Sequence, residues 1–310
     1  MKIVYMGTPD FAVAALEKII EKGHEVVCVV TQPDKPKGRS DKLMPSPVKE
    51  CALKHGLEVF QPEKIKTPDA VAKLKTYDAD IYVVAAFGQI LSQEILDIPR
   101  LGCVNIHASL LPEYRGAAPI QFSILDGKKE TGVTIQQMNA GMDTGDILSV
   151  AKLPITEEDT AGILFDKLMY LGADLIAETL PKLEKGEITP IPQDESKATK
   201  CGKISKDMGK INWNDSAEKI SYLVRGMNPW PSAFTKLNGK MLKIWTVKVT
   251  GEKANGNAGT IHSVTKESIL VNTGDGVLEI SELQLEGKKR MDVKSFLLGY
   301  DVEPGMVIGD

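Results

Sequence analysis

From residue 1 to about residue 188, short apolar runs alternate with amphipathic or loop stretches: "KIVYM", "EVVCVVT", "LEVF", "DIYVVAAF" and "CVNIHAS" recur in that rhythm. An unbroken apolar run bounded by turn signals suits a strand buried on both faces, and parallel strands need a long crossover, usually a helix, between them. The alternation therefore predicts an α/β unit with a mostly parallel open sheet and flanking helices. In the first turn, "MGTPDFAVAALEKII", Thr8 is expected to cap a helix with Pro9 at its first position. That turn lacks the spaced glycines of a dinucleotide or P-loop motif, so Gly7 reads as a plain strand-to-helix turn.

The pattern changes after a helix expected around residues 160 to 182. "KGEITPIPQDESKATKCGKISKD" is rich in Pro, Lys, Ser and Thr and has little apolar periodicity, which reads as a linker. Beyond it come one helix, "DSAEKISYLVRGM", and strands with hairpin signals: Asn238-Gly239 inside "FTKLNGKMLKIW", and a glycine-rich turn inside "ILVNTGDGVLEI". Several short strands within about a hundred residues suggest a small β-barrel of the oligonucleotide-binding (OB) type. The expected division is 1–188, a linker at 189–206, and 207–310.

At 310 residues, two domains are the natural expectation. Hydrophobic residues at 42% supply enough material for two cores, and a net charge of −4 excludes a global basic field, so a nucleic-acid partner must be held by local patches. "MKIVYMG" runs straight into a strand, and no apolar run reaches the length of a membrane span. Cys28, Cys51, Cys103 and Cys201 lie far apart, with no CxxC pair and no His read at ligand spacing, so neither a zinc site nor a disulfide framework is expected. These features predict a cytoplasmic protein with no metal and no membrane partner, and the expected state is a monomer.

"VNIHASLLPEYRGAAPIQ" (residues 104–121) is the informative stretch. Residues two apart on a strand share a face, so Asn105 and His107 project together while Val104, Ile106 and Ala108 face the other way. A buried amide and imidazole need partners. A polar pair capping the next loop would satisfy that need; so would a site, because open α/β sheets bind ligands at the carboxyl ends of their strands. Pro112, Gly116 and Pro119 imply a fixed loop, and "NAGMDTGD" supplies Asp143 from another glycine-punctuated loop.

Taken together, "GTPDFA", "TQPD…GR…LMPSPVK", "NIHASLLPEYRGAAPIQ" and "TGVTIQQMNAGMDTGDIL" resemble the methionyl-tRNA formyltransferases, over essentially the whole chain. The Asn-x-His, Ser-Leu-Leu-Pro and distant Asp are shared by the wider family of 10-formyltetrahydrofolate-dependent formyltransferases, so they speak to chemistry more than to acceptor. The resemblance implies a Rossmann-like formyltransferase domain and a C-terminal tRNA-binding domain. It implies Asn105, His107 and Asp143 as catalytic residues, and Ser109, Leu110, Leu111 and Pro112 as part of a folate pocket. The formyl donor would be 10-formyltetrahydrofolate and the partner initiator methionyl-tRNA.

The implied reaction needs no covalent enzyme intermediate, because a free α-amine titrates near ~8 and is already a nucleophile when unprotonated. Attack on the formyl carbon creates an oxyanion, for which the Asn105 amide is a donor. His107 would carry the proton, and Asp143 would orient the ring and favour its charged form. "PDKPKGRSDK" reads as a polar loop bearing Lys35, Lys37, Arg39 and Lys42, and the resemblance makes it a tRNA contact centred on Arg39. Further basic clusters are Lys203, Lys206 and Lys210, and Lys288, Lys289 and Arg290. Two other readings compete: the same donor site with a small amine (an amino sugar nucleotide or a ribonucleotide amine) or water as acceptor, and a non-catalytic RNA-binding protein. The basic loop and barrel argue against the first, and the intact triad against the second.

Overall fold

The computed structural model describes residues 1–36 and 42–309. They form two compact units: Met1–Pro119, Glu130–Pro154 and Phe165–Cys201 make the first, and Ile120–Lys129, Ile155–Leu164 and Gly202–Asp310 the second.

The first unit contains strands β1 (Lys2–Gly7), β2 (Glu25–Val30), β3 (Lys35–Pro36), β4 (Leu43–Met44), β5 (Val59–Phe60) and β6 (Ile81–Ala85). It continues with β7 (Cys103–His107), β8 (Arg115–Gly116), β9 (Glu130–Gln137), β10 (Ile147–Pro154) and β11 (Lys200–Cys201). The helices up to this point are α1 (Val13–Glu21), α2 (Pro47–Lys54), α3 (Pro68–Lys75), α4 (Gln93–Leu96), α5 (Pro119–Leu125) and α6 (Ala161–Glu184), the last two reaching into both units. Seven strands form the main sheet in the order β10-β9-β7-β6-β1-β2-β5. The five from β7 to β5 are parallel, whereas β9 and β10 are antiparallel, so the expected parallel sheet carries an antiparallel edge.

Crossover helices turn one way from β1 and the opposite way at β6, which places a topological switch between those two strands. Burial on both faces explains the continuous apolar runs: Ile3 to Met6 and Ile81 to Val83 are almost wholly inaccessible. On one face Val4, Met6, Tyr82, Val84 and Cys103 share a core with Val71 and Leu74 of α3 and Ile95 of α4. Local signals set the helix starts. Ser46 and Thr67 accept hydrogen bonds from Lys49 N and Ala70 N, each with proline at the first helical position.

Thr8 departs from its expected role. The chain enters a single 3-10 turn at Asp10–Ala12 with Pro9 at the cap position, and no side chain caps it. The Thr8 hydroxyl instead donates to the Phe87 carbonyl (2.9 Å) at the end of β6, beside the switch point. A long-range acceptor wins over the local cap because the two strand ends are in register, Gly7 against Ala85.

The second unit holds α7 (Ala217–Gly226), β12 (Ala233–Leu237), β13 (Lys240–Val249), β14 (Ile261–Val264), β15 (Ile269–Asn272), β16 (Val277–Leu285), β17 (Met291–Asp292) and α8 (Val293–Leu297). Its sheet is antiparallel throughout, ordered β12-β13-β16-β15-β14 with β17 beside β16. Both expected hairpins form. Asn238 and Gly239 take φ of 51° and 76°, the left-handed values a two-residue turn requires. Ile220 and Val224 of α7, Phe296 of α8, and Ile244, Leu278 and Ile280 fill one core. No helix among the described residues is long and apolar enough to cross a membrane.

Candidate active site

Cys103, Asn105 and His107 lie on one face of β7, at successive depths. Cys103 is in the core, Asn105 is half-buried, and His107 ends the strand at 6% exposure. Ile106 points the other way, toward α6, where Gly172 leaves room for it. The strand alternation thus delivers both polar side chains to the carboxyl edge of the sheet, where the core gives out.

His107 Nε2 lies 3.0 Å from the Tyr114 carbonyl. A carbonyl only accepts, so Nε2 must carry a proton, and Nδ1 is the nitrogen free to take one. Nδ1 is 3.7 Å from Asp143 Oδ1, with the carboxylate 16% exposed. That distance is an ion-pair contact rather than a hydrogen bond. It becomes favourable when Nδ1 gains its proton. Asp143 is itself fixed: Oδ2 accepts from Gly116 N (2.9 Å) and Oδ1 from Gln136 Nε2 (2.9 Å).

Gln136 was not expected from the sequence. It pairs in register with Asn105 across β7 and β9, it is 2% exposed, and its Oε1 is buried without a partner among the described residues. Its signal was a polar residue interrupting the buried strand β9. Thr134, opposite His107, acts similarly: its hydroxyl donates to Ser109 O (2.7 Å) and accepts from Leu111 N (3.1 Å), tying the Ser-Leu-Leu-Pro turn to β9. Within that turn Ser109 donates to Glu113 O (2.6 Å), the Leu111–Pro112 bond is cis, Leu111 is buried, and Leu110 and Pro112 are half-buried.

The stretch read as a linker supplies the rest of the scaffold. β11 pairs in parallel with β8, and the Thr199 hydroxyl accepts from Tyr114 N (2.8 Å). Gly116 at φ 126° is required here, because a Cβ would strike the Cys201 carbonyl oxygen. Gln193 Nε2 donates to the carbonyls of Asp143 (2.9 Å) and Gly145 (2.6 Å), while its Oε1 accepts from Arg115 Nε (3.1 Å) and from the second guanidinium nitrogen (2.8 Å). Arg115, only 4% exposed, also forks onto Glu195 at 2.7 and 2.9 Å. That pairing raises the guanidinium pKa and holds the Glu195 carboxyl below its ordinary range. Gln193, Glu195 and Thr199 lie 48 to 85 residues from their partners in the chain, and no local pattern announces them.

Of the expected tRNA-contact residues, Lys35 lies in β3 and Lys42 just before β4, both exposed, and Lys49 and Gln61 hold the neighbouring Asp34. Lys37 and Arg39 lie outside the described residues. In the second unit, Arg290 forks onto Glu282 and lies 4.6 Å over the Trp245 ring, whereas Lys288 and Lys289 are exposed. Two surface hollows, of about 440 and 120 Å³, lie elsewhere, one over Phe60, Pro62 and Lys73 and one over Lys210, Phe234 and Lys236.

An amide two residues before an imidazole that faces a carboxylate, at the carboxyl edge of a doubly wound sheet, suits group transfer, and the sequence matches say to which class the chain belongs. Residues 1–180 match the model of the formyl transferase family and residues 203–301 that of its C-terminal domain, and the chain belongs to this family. It is 52% identical over 305 residues to the methionyl-tRNA formyltransferase of Agathobacter rectalis, covering 98% of each chain. It is 49% identical to that of Bacillus subtilis strain 168, covering 99% of this chain and 98% of the other. Among solved structures, the sugar 3N-formyl transferase WlaRD superposes with a TM-score of 0.69 at 22% identity, covering 93% of this chain and 99% of that one. HypX from Aquifex aeolicus in complex with tetrahydrofolic acid gives 0.64 at 17% identity, covering 96% of this chain and 47% of that one. These two likenesses concern the fold.

Proposed function

We propose that this chain moves the formyl group of 10-formyltetrahydrofolate to the α-amine of methionine esterified to initiator tRNA, a reading supported by full-length relatives that bear the name methionyl-tRNA formyltransferase. The observation that carries the chemistry is His107, its Nε2 proton engaged by the Tyr114 carbonyl and its Nδ1 turned toward a fixed carboxylate. The unprotonated amine attacks the formyl carbon directly, and the Asn105 amide donates to the oxyanion that develops. A donor of this kind is worth about 3–4 kcal/mol of transition-state stabilisation. Nδ1 takes the proton leaving the amine, Asp143 stabilises the imidazolium, and the same proton is returned to the departing folate nitrogen. Atoms and charge balance without any further group.

The Ser109 to Pro112 turn, fixed to β9 through Thr134, is proposed as one wall of the folate pocket. Lys35, Lys37, Arg39 and Lys42, together with Lys288 and Lys289 of the second unit, are proposed to hold tRNA phosphates in a cytoplasmic, monomeric enzyme. The test is a radiolabelled formyl-transfer assay offering charged initiator tRNA, charged elongator tRNA and small amines side by side. Label on initiator methionyl-tRNA alone is expected. Label on an amino sugar nucleotide or a ribonucleotide amine in preference to the tRNA would overturn the acceptor, and label on none would overturn the activity.

A further inference from the structure

Away from the formyl-transfer residues, α1 and α2 bring together a set of side chains that the proposed reaction does not use. Cys51 and His55 are four residues apart, so they project from one face of α2, and the helical turn continues through His55 by its N–H to the Cys51 carbonyl (3.3 Å). Glu17 reaches across from α1 and places Oε1 3.9 Å from Cys51 Sγ. One ligand atom from each of Glu17, Cys51 and His55 lies within 4.8 Å of the other two. The sulfur is at the buried corner, with Cys51 at 3% exposure, while the carboxylate and imidazole are exposed. The geometry points to a divalent-cation site of the Zn²⁺ class, in which Glu17, Cys51 and His55 are three protein ligands that tie α1 to α2.

Ligand chemistry selects the ion. A thiolate and an imidazole suit a borderline-soft cation and argue against Mg²⁺ or Ca²⁺, which prefer all-oxygen cages. Around tetrahedral Zn²⁺, with bonds of about 2.0–2.3 Å, ligand atoms stand roughly 3.3–3.8 Å apart. The set therefore has to close by up to about 1.5 Å, and the two members that must move are the exposed Glu17 and His55, which have rotamer freedom. Binding forms a metal–sulfur bond and breaks S–H, releasing the thiol proton to solvent with no change of oxidation state. Thiolate and carboxylate then neutralise the ion, and water takes the fourth position on the open side. The proposal departs from the sequence reading, which expected no metal; the Cys and the His it uses stand one helical turn apart.

The inference stands apart from the formyl-transfer reading and is tested without it. Full-length protein, reduced and stripped with a chelator, is titrated with Zn²⁺ by calorimetry and with Co²⁺ by absorption. One equivalent is expected to bind, with proton release, a thiolate-to-cobalt charge-transfer band and a rise in Tm. Cys51→Ser is expected to abolish the band. Glu17→Gln and His55→Gln, at exposed positions where folding is not at stake, should each weaken Zn²⁺ by at least the roughly 10- to 100-fold associated with losing an outer-shell partner. Failure of the wild-type protein to take up one equivalent would overturn the site. So would a charge-transfer band that persists in Cys51→Ser, or unchanged affinity in both exposed variants.

Discussion

The carboxyl edge of the first unit's sheet and the basic surface of the second unit are both polar, yet they are built on opposite plans. At the sheet edge a few groups are buried and each answers to another: Tyr114 to His107, Gly116 and Gln136 to Asp143, Gln193 to Arg115. In the second unit Arg290 is already committed to Glu282 and Trp245, and Lys288 and Lys289 stand in solvent. Buried polar networks act through geometry and fail when one member is lost; exposed charges act through their sum and fail gradually. Function should therefore be lost steeply at the first region and gently at the second.

The largest expected effect is at His107. His107→Ala should lower kcat by about 10²–10⁴-fold, and Asn105→Ala by about 10²–10³-fold, with tRNA affinity nearly unchanged in a filter-binding measurement. Wild-type turnover in either variant would remove that residue from the chemistry. Next comes Gln193→Leu, which leaves two carbonyls without their donor and deprives Arg115 of one acceptor. A stability loss of about 1–3 kcal/mol by denaturant titration is expected, together with a fall in kcat rather than a rise in KM. Equal kcat would mean that the Asp143 loop keeps its shape without the clasp.

A pH measurement sharpens the same point. The Arg115 guanidinium depresses the Glu195 carboxyl, so the stabilisation is present above the ordinary glutamate value of ~4.3 and is lost as pH falls through the lower folded value. Wild-type and Glu195→Gln proteins should differ in Tm at neutral pH and converge in acid. A gap that persists at low pH would assign the difference to something other than charge. The smallest effects belong to the second region: Lys288→Ala and Lys289→Ala should each weaken tRNA binding modestly and reduce the salt slope by about one, with kcat at saturating tRNA unchanged.

What could be read beforehand divides along chain distance. The sheet, both hairpins and the shared face of Asn105 and His107 follow from period-two alternation and turn residues within a few positions, so they were legible. Asp143 was legible as a motif, but its anchoring by Gln136 was not, because a glutamine interrupting a buried strand signals some polar contact without naming it until its cross-strand neighbour is known. Thr8 was misread for the same reason: its hydroxyl had a local option and a remote one, and the remote carbonyl of Phe87 took it. Gln193, Glu195 and Thr199 sat in a stretch whose composition looks like a linker. Composition reports how little apolar surface a segment offers, and it is silent about backbone pairing with β8.

The pairing of β11 with β8 also bears on where the protein can be cut. A fragment ending at residue 188, where apolar periodicity stops, would strip Arg115 of both acceptors and leave the Asp143 and Gly145 carbonyls without their amide donor. The shortest piece that keeps the reactive edge intact ends no earlier than Cys201.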